Sequence, residues 1–231
     1  MTGFDDAWAL ARDVEGWLTE AQARRLFAAG AHVAPDGRVV EIGSFRGRSA
    51  IVLAGAGVAV VCIDPHAGSD RGPQEIAADA DRGADDARAF AENLARAGVA
   101  RRVRHVRAFS RDALADVPGS LDVLFVDGAH RFGPARADLV SWGDRVGYGG
   151  RMLVHDAWSS VGVTFALLST TVFSRRWRYA GREGSLAEFV REDVAIAGNA
   201  ARQLHELGWF ARNLVVKALI VARVRRGPWP Y

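Results

Sequence analysis

In this chain, acids, histidines and glycines gather where short apolar runs end. Val39-Val40-Glu41-Ile42 runs into Gly43-Ser44-Phe45-Arg46-Gly47-Arg48-Ser49, and Val60-Val61-Cys62-Ile63 into Asp64-Pro65-His66. Ala108-Phe109 leads to Ser110-Arg111-Asp112, Leu124-Phe125-Val126 to Asp127-Gly128-Ala129-His130, and Met152-Leu153-Val154 to His155-Asp156-Ala157-Trp158. One acid in such a place can simply cap a helix, but capping alone does not account for the whole set. Gly43 and Gly47 allow a sharp turn and a close backbone approach to a ligand. Asp64, about 20 residues beyond that turn, has the spacing of an acid that accepts hydrogen bonds from both hydroxyls of a ribose. His130, three residues beyond Asp127, titrates near neutral pH and can take a proton.

These residues have to be positioned by alternating strands and helices. The pattern predicts strands near 38–42, 58–64, 102–109, 121–127 and 151–155, with helices near 47–56, 75–97, 132–145 and 159–173. That alternation marks a parallel sheet covered on both faces. Two further runs, 176–180 and 186–191, flank Gly181-Arg182-Glu183-Gly184-Ser185 and predict a hairpin, so the sheet ends antiparallel. In an open parallel sheet, ligands bind beyond the carboxyl ends of the strands, where the polar residues collect. Before the sheet, a short helix over 5–15 is followed by a second that Thr19 and Gln22 open with capping-box spacing and that ends near Gly30. The segment from Ala67 to Asp86, rich in Gly, Asp and Ala, reads as a loop running into a helix. The expected organisation is an N-terminal helical cap (1–35), a ligand-binding α/β domain (36–192), and a C-terminal amphipathic helix with its tail (193–231).

Composition narrows the class. The chain has 231 residues, 49% hydrophobic and 25% charged, with a formal net charge of +3, which is ordinary for a globular α/β protein. Lys217 is the single lysine, and acids are interleaved among the arginines. This balance gives no argument for a nucleic-acid partner. The lone Cys62 sits in an apolar run and forms no disulfide framework, as befits a reducing compartment. The N-terminus lacks a basic segment followed by an apolar one, so a cytoplasmic location is expected.

A dinucleotide would require G-x-G-x-x-G, but Phe45 and Arg48 occupy the second and third glycine positions, and no Gly-Lys-Ser/Thr phosphate loop occurs. Glu41 would repel a pyrophosphate, yet it can meet an ammonium or donor groups. An adenosyl cofactor without phosphates remains. Val-Val-Glu-Ile-Gly-Ser-Phe-Arg-Gly-Arg-Ser, Cys-Ile-Asp-Pro-His, Phe-Val-Asp-Gly-Ala-His and Gly-Gly-Arg-Met-Leu-Val-His-Asp-Ala together resemble the class I S-adenosylmethionine-dependent methyltransferases. Within that class the chain is most similar to bacterial small-molecule O-methyltransferases related to catechol and macrocin-type enzymes. The resemblance covers residues 36–192 and implies a Rossmann-like seven-stranded sheet, mostly parallel, with an antiparallel last strand. It also implies that Glu41, Gly43, Ser44, Gly47 and Ser49 surround the methionine part of S-adenosylmethionine, and that Asp64 holds the ribose with His66 nearby. By the same resemblance Ser110 meets the adenine, and Asp127 lies beside the methyl-transfer centre.

For a hydroxyl acceptor, either a general base or a metal must make the oxygen nucleophilic. His130 is the candidate base, with Asp127 beside it. Asp127 and Asp156 are the candidate ligands of a Mg²⁺ ion, although Ala129 and His155 stand where metal-dependent relatives carry further acids. The expected partner is a small-molecule acceptor, including glycosylated or lipid-linked metabolites. The alternatives are an NAD(P)-dependent oxidoreductase on a related sheet, or a protein that binds the cofactor without turnover. In the C-terminal region Leu204, Leu207, Phe210, Leu214, Val215, Ala218, Leu219 and Ala222 recur at helical spacing among basic residues. The sequence leaves open whether this helix packs on the body or in a homodimer, or lies on a membrane surface.

Overall fold

The computed structural model describes residues 3–69 and 77–223. The helical start expected at Glu75, and Arg225 to Tyr231, lie outside the described residues. Seven strands form one sheet in the order β3-β2-β1-β4-β5-β7-β6. They are β1 (Val39–Ile42), β2 (Val60–Ile63), β3 (Val103–Val106), β4 (Leu121–Val126), β5 (Val146–Val154), β6 (Trp177–Glu183) and β7 (Leu186–Arg191). The first five are parallel, and β7 pairs antiparallel with both β5 and β6. The antiparallel last strand therefore lies inside the sheet, and the edge is β6.

The helices are α1 (Phe4–Ala11), α2 (Glu20–Ala31), α3 (Arg48–Gly55), α4 (Ala80–Arg96), α5 (Phe132–Ser141), α6 (Val161–Thr170) and α7 (Ile196–Val221). Strand alternation sends successive side chains to opposite faces. Val40, Ile42, Leu124 and Val126 face Leu139, Trp142 and Leu167 of the α5–α6 side. Val39, Val123 and Phe125 face Leu26, Ile51, Leu53 and Phe90 on the α2–α3–α4 side. Both faces of the central strands are thus dry, which is why their sequences are nearly continuous apolar runs.

The N-terminal helices share this second core. The α2 capping box forms, with Gln22 N–H donating to Thr19 Oγ1 at 3.3 Å and Thr19 N–H to Gln22 Oε1 at 2.9 Å. A Cβ on Gly55 would lie 2.6 Å from Ala7 Cβ, so α1 and α3 meet at a glycine because nothing larger fits. Strand β5 is longer than the sequence pattern indicates. Gly147, Gly149 and Gly150 weaken the strand signal, yet the pairing with β4 reaches Val146 through a register shift.

Candidate active site

The carboxyl ends of β1, β2, β4 and β5 open into a cleft of about 920 Å³. Its floor is the turn after β1. Gly43 has φ +82°, and a Cβ there would fall 2.1 Å from Asp127 O. Glycine is required because the β1 and β4 ends touch through their backbones. Asp64 fastens the turn from the side: Oδ2 accepts from Ser44 N–H at 2.9 Å and Phe45 N–H at 2.8 Å, and Oδ1 from His66 N–H at 2.8 Å. Three backbone donors leave this carboxylate about one acceptor direction for a ligand. His66 is buried with φ +44°, and its Nε2 contacts Phe45 O at 2.7 Å. Its Nδ1 and the Ser44 hydroxyl are buried polar atoms with no hydrogen-bond partner among the described residues.

Glu41, expected to face a ligand, is turned the other way. Strand alternation places it under α3 and fully buried, where it accepts from the Ser49 hydroxyl and, at 3.0 Å, from Cys62 Sγ. Burial pushes its carboxyl up to about 7, against the Cys62 and Ser49 hydrogen bonds that favour the charged form. It braces the turn from beneath and is not part of the cleft wall. Gly47 also stays outside the cleft, capping α3 in the left-handed region (φ +90°). Gly43, Ser44, Ser49, Asp64, His66, Ser110, Asp127, His130 and Asp156 all line the cleft.

Past β4 and β5, acids and histidines interleave. His130 Nε2 lies 2.7 Å from Asp156 Oδ2, and His155 Nδ1 lies 3.0 Å from Asp127 Oδ1 and 3.9 Å from Asp156 Oδ2. Both short contacts pair an imidazole with a carboxylate. Burial lowers the His155 pKa, but the charge of Asp127, its hydrogen bond and the charge of Asp156 outweigh this and push it up to about 9. His155 is therefore an imidazolium at neutral pH. For His130 burial again works downward, and Asp156, with Asp127 behind it, raises the pKa overall. Burial would raise Asp156, yet His130, His155 and Lys217 hold it well below the usual carboxylate range. Asp156 has φ +54°, a strained conformation that Asp tolerates better than most residues.

The sequence from residue 40 to 157 matches the family model of a methyltransferase domain, which spans just over half the chain. The chain belongs to the methyltransferase family. No curated protein sequence matches it. Among solved structures, its fold is similar to the cofactor-bound Rv0187 protein from MTB, at 19% identity and TM-score 0.58 over 82% of this chain and 89% of that one. It is also similar to the O-methyltransferase TomG from Streptomyces achromogenes in complex with SAM, at 21% identity and TM-score 0.54 over the same shares. A third similar structure is an O-methyltransferase from Bacillus cereus in complex with SAH, at 16% identity and TM-score 0.54 over 81% and 87%. At these identities the likeness is one of fold, and that fold is the class I S-adenosylmethionine-dependent methyltransferase sheet.

The methyltransferase cleft fits S-adenosylmethionine by its unsatisfied atoms. The Ser44 hydroxyl and His66 Nδ1 are the kind of buried polar groups that a bound ligand satisfies, and the free α3 N–H groups face the same turn. Mg²⁺ fits less well. Donor atoms of Asp127, His130 and Asp156 lie within 4.8 Å of one another, but one is an imidazole, and Mg²⁺ prefers all-oxygen, largely hydrated shells.

Three contributors to this site had no role assigned in the sequence reading. Asp138 accepts from the Ser110 hydroxyl, and burial pushes its carboxyl up to about 6 against that hydrogen bond. The signal was an acid within the apolar face Ala135, Leu139, Trp142 of a helix. His155 was visible as a histidine before Asp156, but only the fold shows that it bridges two carboxylates. Lys217 reaches the cleft from α7, about 60 residues along the chain from Asp156, and no local pattern announces that approach.

Proposed function

We propose that this methyltransferase transfers a methyl group from S-adenosylmethionine to an oxygen of a small-molecule acceptor, glycosylated and lipid-linked metabolites included. The observation that carries the reading is the convergence of Asp127, His130 and Asp156 beside the Gly43-Ser44 turn, in one cleft. The cofactor supplies a methyl group already activated on a sulfonium, so the protein's work is alignment and the handling of one proton. Ser44, Ser49 and His66 present hydrogen-bonding groups to the methionine end and ribose, and Asp64 offers its remaining acceptor direction to a ribose hydroxyl. Ser110, held by Asp138, meets the adenine.

His130 is the residue that would take the proton from an acceptor hydroxyl, leaving the oxygen free to act as nucleophile toward a bound methyl donor whose sulfur departs as the neutral thioether. Asp156 orients the imidazole and, once that ring is charged, stabilises it. Asp127 is held in place by His155 and lines the transfer position. Two features speak against a dinucleotide: the Phe45 ring packs on Trp17 with centroids 5.3 Å apart, and Arg48 is engaged elsewhere, so side chains stand where a pyrophosphate needs bare backbone.

Calorimetric titration tests the cofactor. S-adenosylhomocysteine should bind and NAD should not, and the reverse result would sink the reading. With any acceptor found by screening, His130→Ala should lower kcat by about 10²- to 10⁴-fold while leaving S-adenosylhomocysteine affinity within about threefold. Full turnover in that variant would remove the base assignment. Cofactor binding without turnover on any acceptor would favour a binding protein.

A further inference from the structure

Helix α7 is seated by its polar groups and carries apolar residues outward. Asn199, Gln203, Glu206, Asn213 and Lys217 follow one another at helical spacing along its inner side. Asn199 Oδ1 accepts from Tyr179 N–H at 2.8 Å, Asn213 Nδ2 donates to Trp158 O at 3.1 Å, and Lys217 Nζ donates to Ser159 O at 2.8 Å. On the opposite side Leu204, Val215 and Leu219 are 40%, 59% and 36% exposed, and Leu214, which flanks the inner stripe, is 38% exposed. Leu207, Trp209 and Phe210 pack against the core beside the polar stripe, so part of the apolar set faces inward.

Helix α6 lies antiparallel beside α7, because Ser159 before its start meets Lys217 and Thr171 after its end donates to Gln203 Oε1 at 2.8 Å. Its Val161 and Phe165 are half exposed. Each of these neighbouring helices thus leaves apolar side chains exposed to solvent.

Charge decides what covers it. From Leu207 onward, besides the inward-facing Lys217, the sequence has four arginines, Arg212, Arg223, Arg225 and Arg226, and no acid. A second copy on this face would bring the same cations with no acids from this stretch to meet them. An anionic bilayer supplies the counter-charge, and apolar side chains between basic ones suit its headgroup boundary. No helix among the described residues is long and apolar enough to cross a membrane, so the helix lies along the surface. In sequence Trp229 and Tyr231 follow, residue types that favour this boundary.

We propose that the outer face of α6 and α7 binds the interfacial region of an anionic bilayer. Val161, exposed at the start of α6, also lines the cleft, so on this proposal the cleft meets an acceptor near headgroup level. The binding itself does not depend on methyl transfer.

The full-length protein should sediment with vesicles of phosphatidylcholine containing phosphatidylglycerol, and much less with phosphatidylcholine alone or at high salt. Val215→Asp with Leu219→Asp, both on exposed positions, should abolish sedimentation while the circular dichroism melt stays unchanged. Arg223→Glu should weaken it by at least about fivefold, since each basic group near an anionic surface contributes about that factor. If the double variant loses its melt, Arg223→Glu still tests the same face. Failure to sediment with anionic vesicles, or equal binding by the wild type and Arg223→Glu, overturns the proposal. So does a wild-type dimer that the double variant converts to monomer in light scattering, which would assign the face to a second copy.

Discussion

Replacing Glu41 by glutamine tests the buried brace under the cradle. The group titrates at an ordinary 4.5 in the unfolded chain and is pushed up to about 7 in the fold. Between those values the folded state holds a proton that the unfolded state has released, so the stability this group contributes is fully present below pH 4.5 and is lost as pH rises through 7. A separation of about 2.5 units corresponds to roughly 3 kcal/mol of stability lost by the wild type over that interval. Glutamine keeps the shape and still accepts from the Ser49 hydroxyl, but it never ionises. At pH 8 Glu41→Gln should therefore be more stable than wild type by about 3 kcal/mol, or roughly 6 °C in Tm for a chain of this size. At pH 4.5 the two should nearly coincide. Urea unfolding at both pH values reads the difference, and the other titrating groups cancel because both proteins carry them. Equal pH slopes in the two proteins would refute the reasoning. The same variant separates brace from ligand contact: S-adenosylhomocysteine affinity within about threefold of wild type fits a carboxyl that stays beneath the turn. A loss of tenfold or more would restore the direct contact expected from sequence.

Other outcomes follow from the same geometry. Arg48 donates to Val14 O at 2.6 Å, Leu18 O at 3.0 Å and Arg12 O at 2.8 Å; Arg48→Ala should cost about 2–4 kcal/mol and speed proteolysis between α1 and α2, and a change below about 1 kcal/mol in urea would contradict that anchoring role. Asn213→Ala leaves Trp158 O without its donor in a buried place, so Tm should fall by the equivalent of about 1–3 kcal/mol. Its kcat should fall about tenfold, because the loop carrying Asp156 loosens, with S-adenosylhomocysteine affinity retained; unchanged kcat would uncouple α7 from that loop. Chelation with EDTA should leave turnover within about twofold, since the donor set of Asp127, His130 and Asp156 includes an imidazole that Mg²⁺ disfavours, and a loss restored by Mg²⁺ would overturn that argument.

The sheet was legible because its strands are short, apolar and bounded by glycine turns, and because every polar strand end pointed to one side. Ser44, Asp64, Asp127, His130 and Asp156 were found that way, and they do share a cleft. Glu41 misled because type and position in sequence do not give direction. In Val39–Ile42 the period of two puts Val40 and Ile42 on the α5–α6 face and Glu41 under α3, beside a serine and a cysteine. Arg48 counted only as a missing glycine, although its length and donor geometry make it the anchor of the N-terminal loop. For α7, periodicity identified the helix but not which side packs. Apolar residues recur at helical spacing, and so do Asn199, Gln203, Glu206, Asn213 and Lys217. Only the buried carbonyls of Trp158 and Ser159, which need donors, select the polar stripe as the inner one.

Those carbonyls belong to a strained segment, which explains why the chain commits a long helix to them. Phe45, His66, Asp156 and Trp158, all with positive φ, surround the reacting positions, and each costs on the order of 1–3 kcal/mol unless its surroundings fix it. Two supports do the fixing. On the cofactor side Asp64 accepts the N–H groups of Phe45 and His66. On the acceptor side Asp156 O accepts from Ser159 and Ser160 N–H at 3.2 and 2.9 Å, and α7 holds Trp158 and Ser159 from outside. The two supports share no residue, so the halves of the cleft can be perturbed separately. Whatever shifts the last turns of α7 acts first on Asp156 and its partner His130, and leaves the Gly43 turn in place. If α7 docks on a bilayer as proposed, that contact would bear on the loop that carries Asp156.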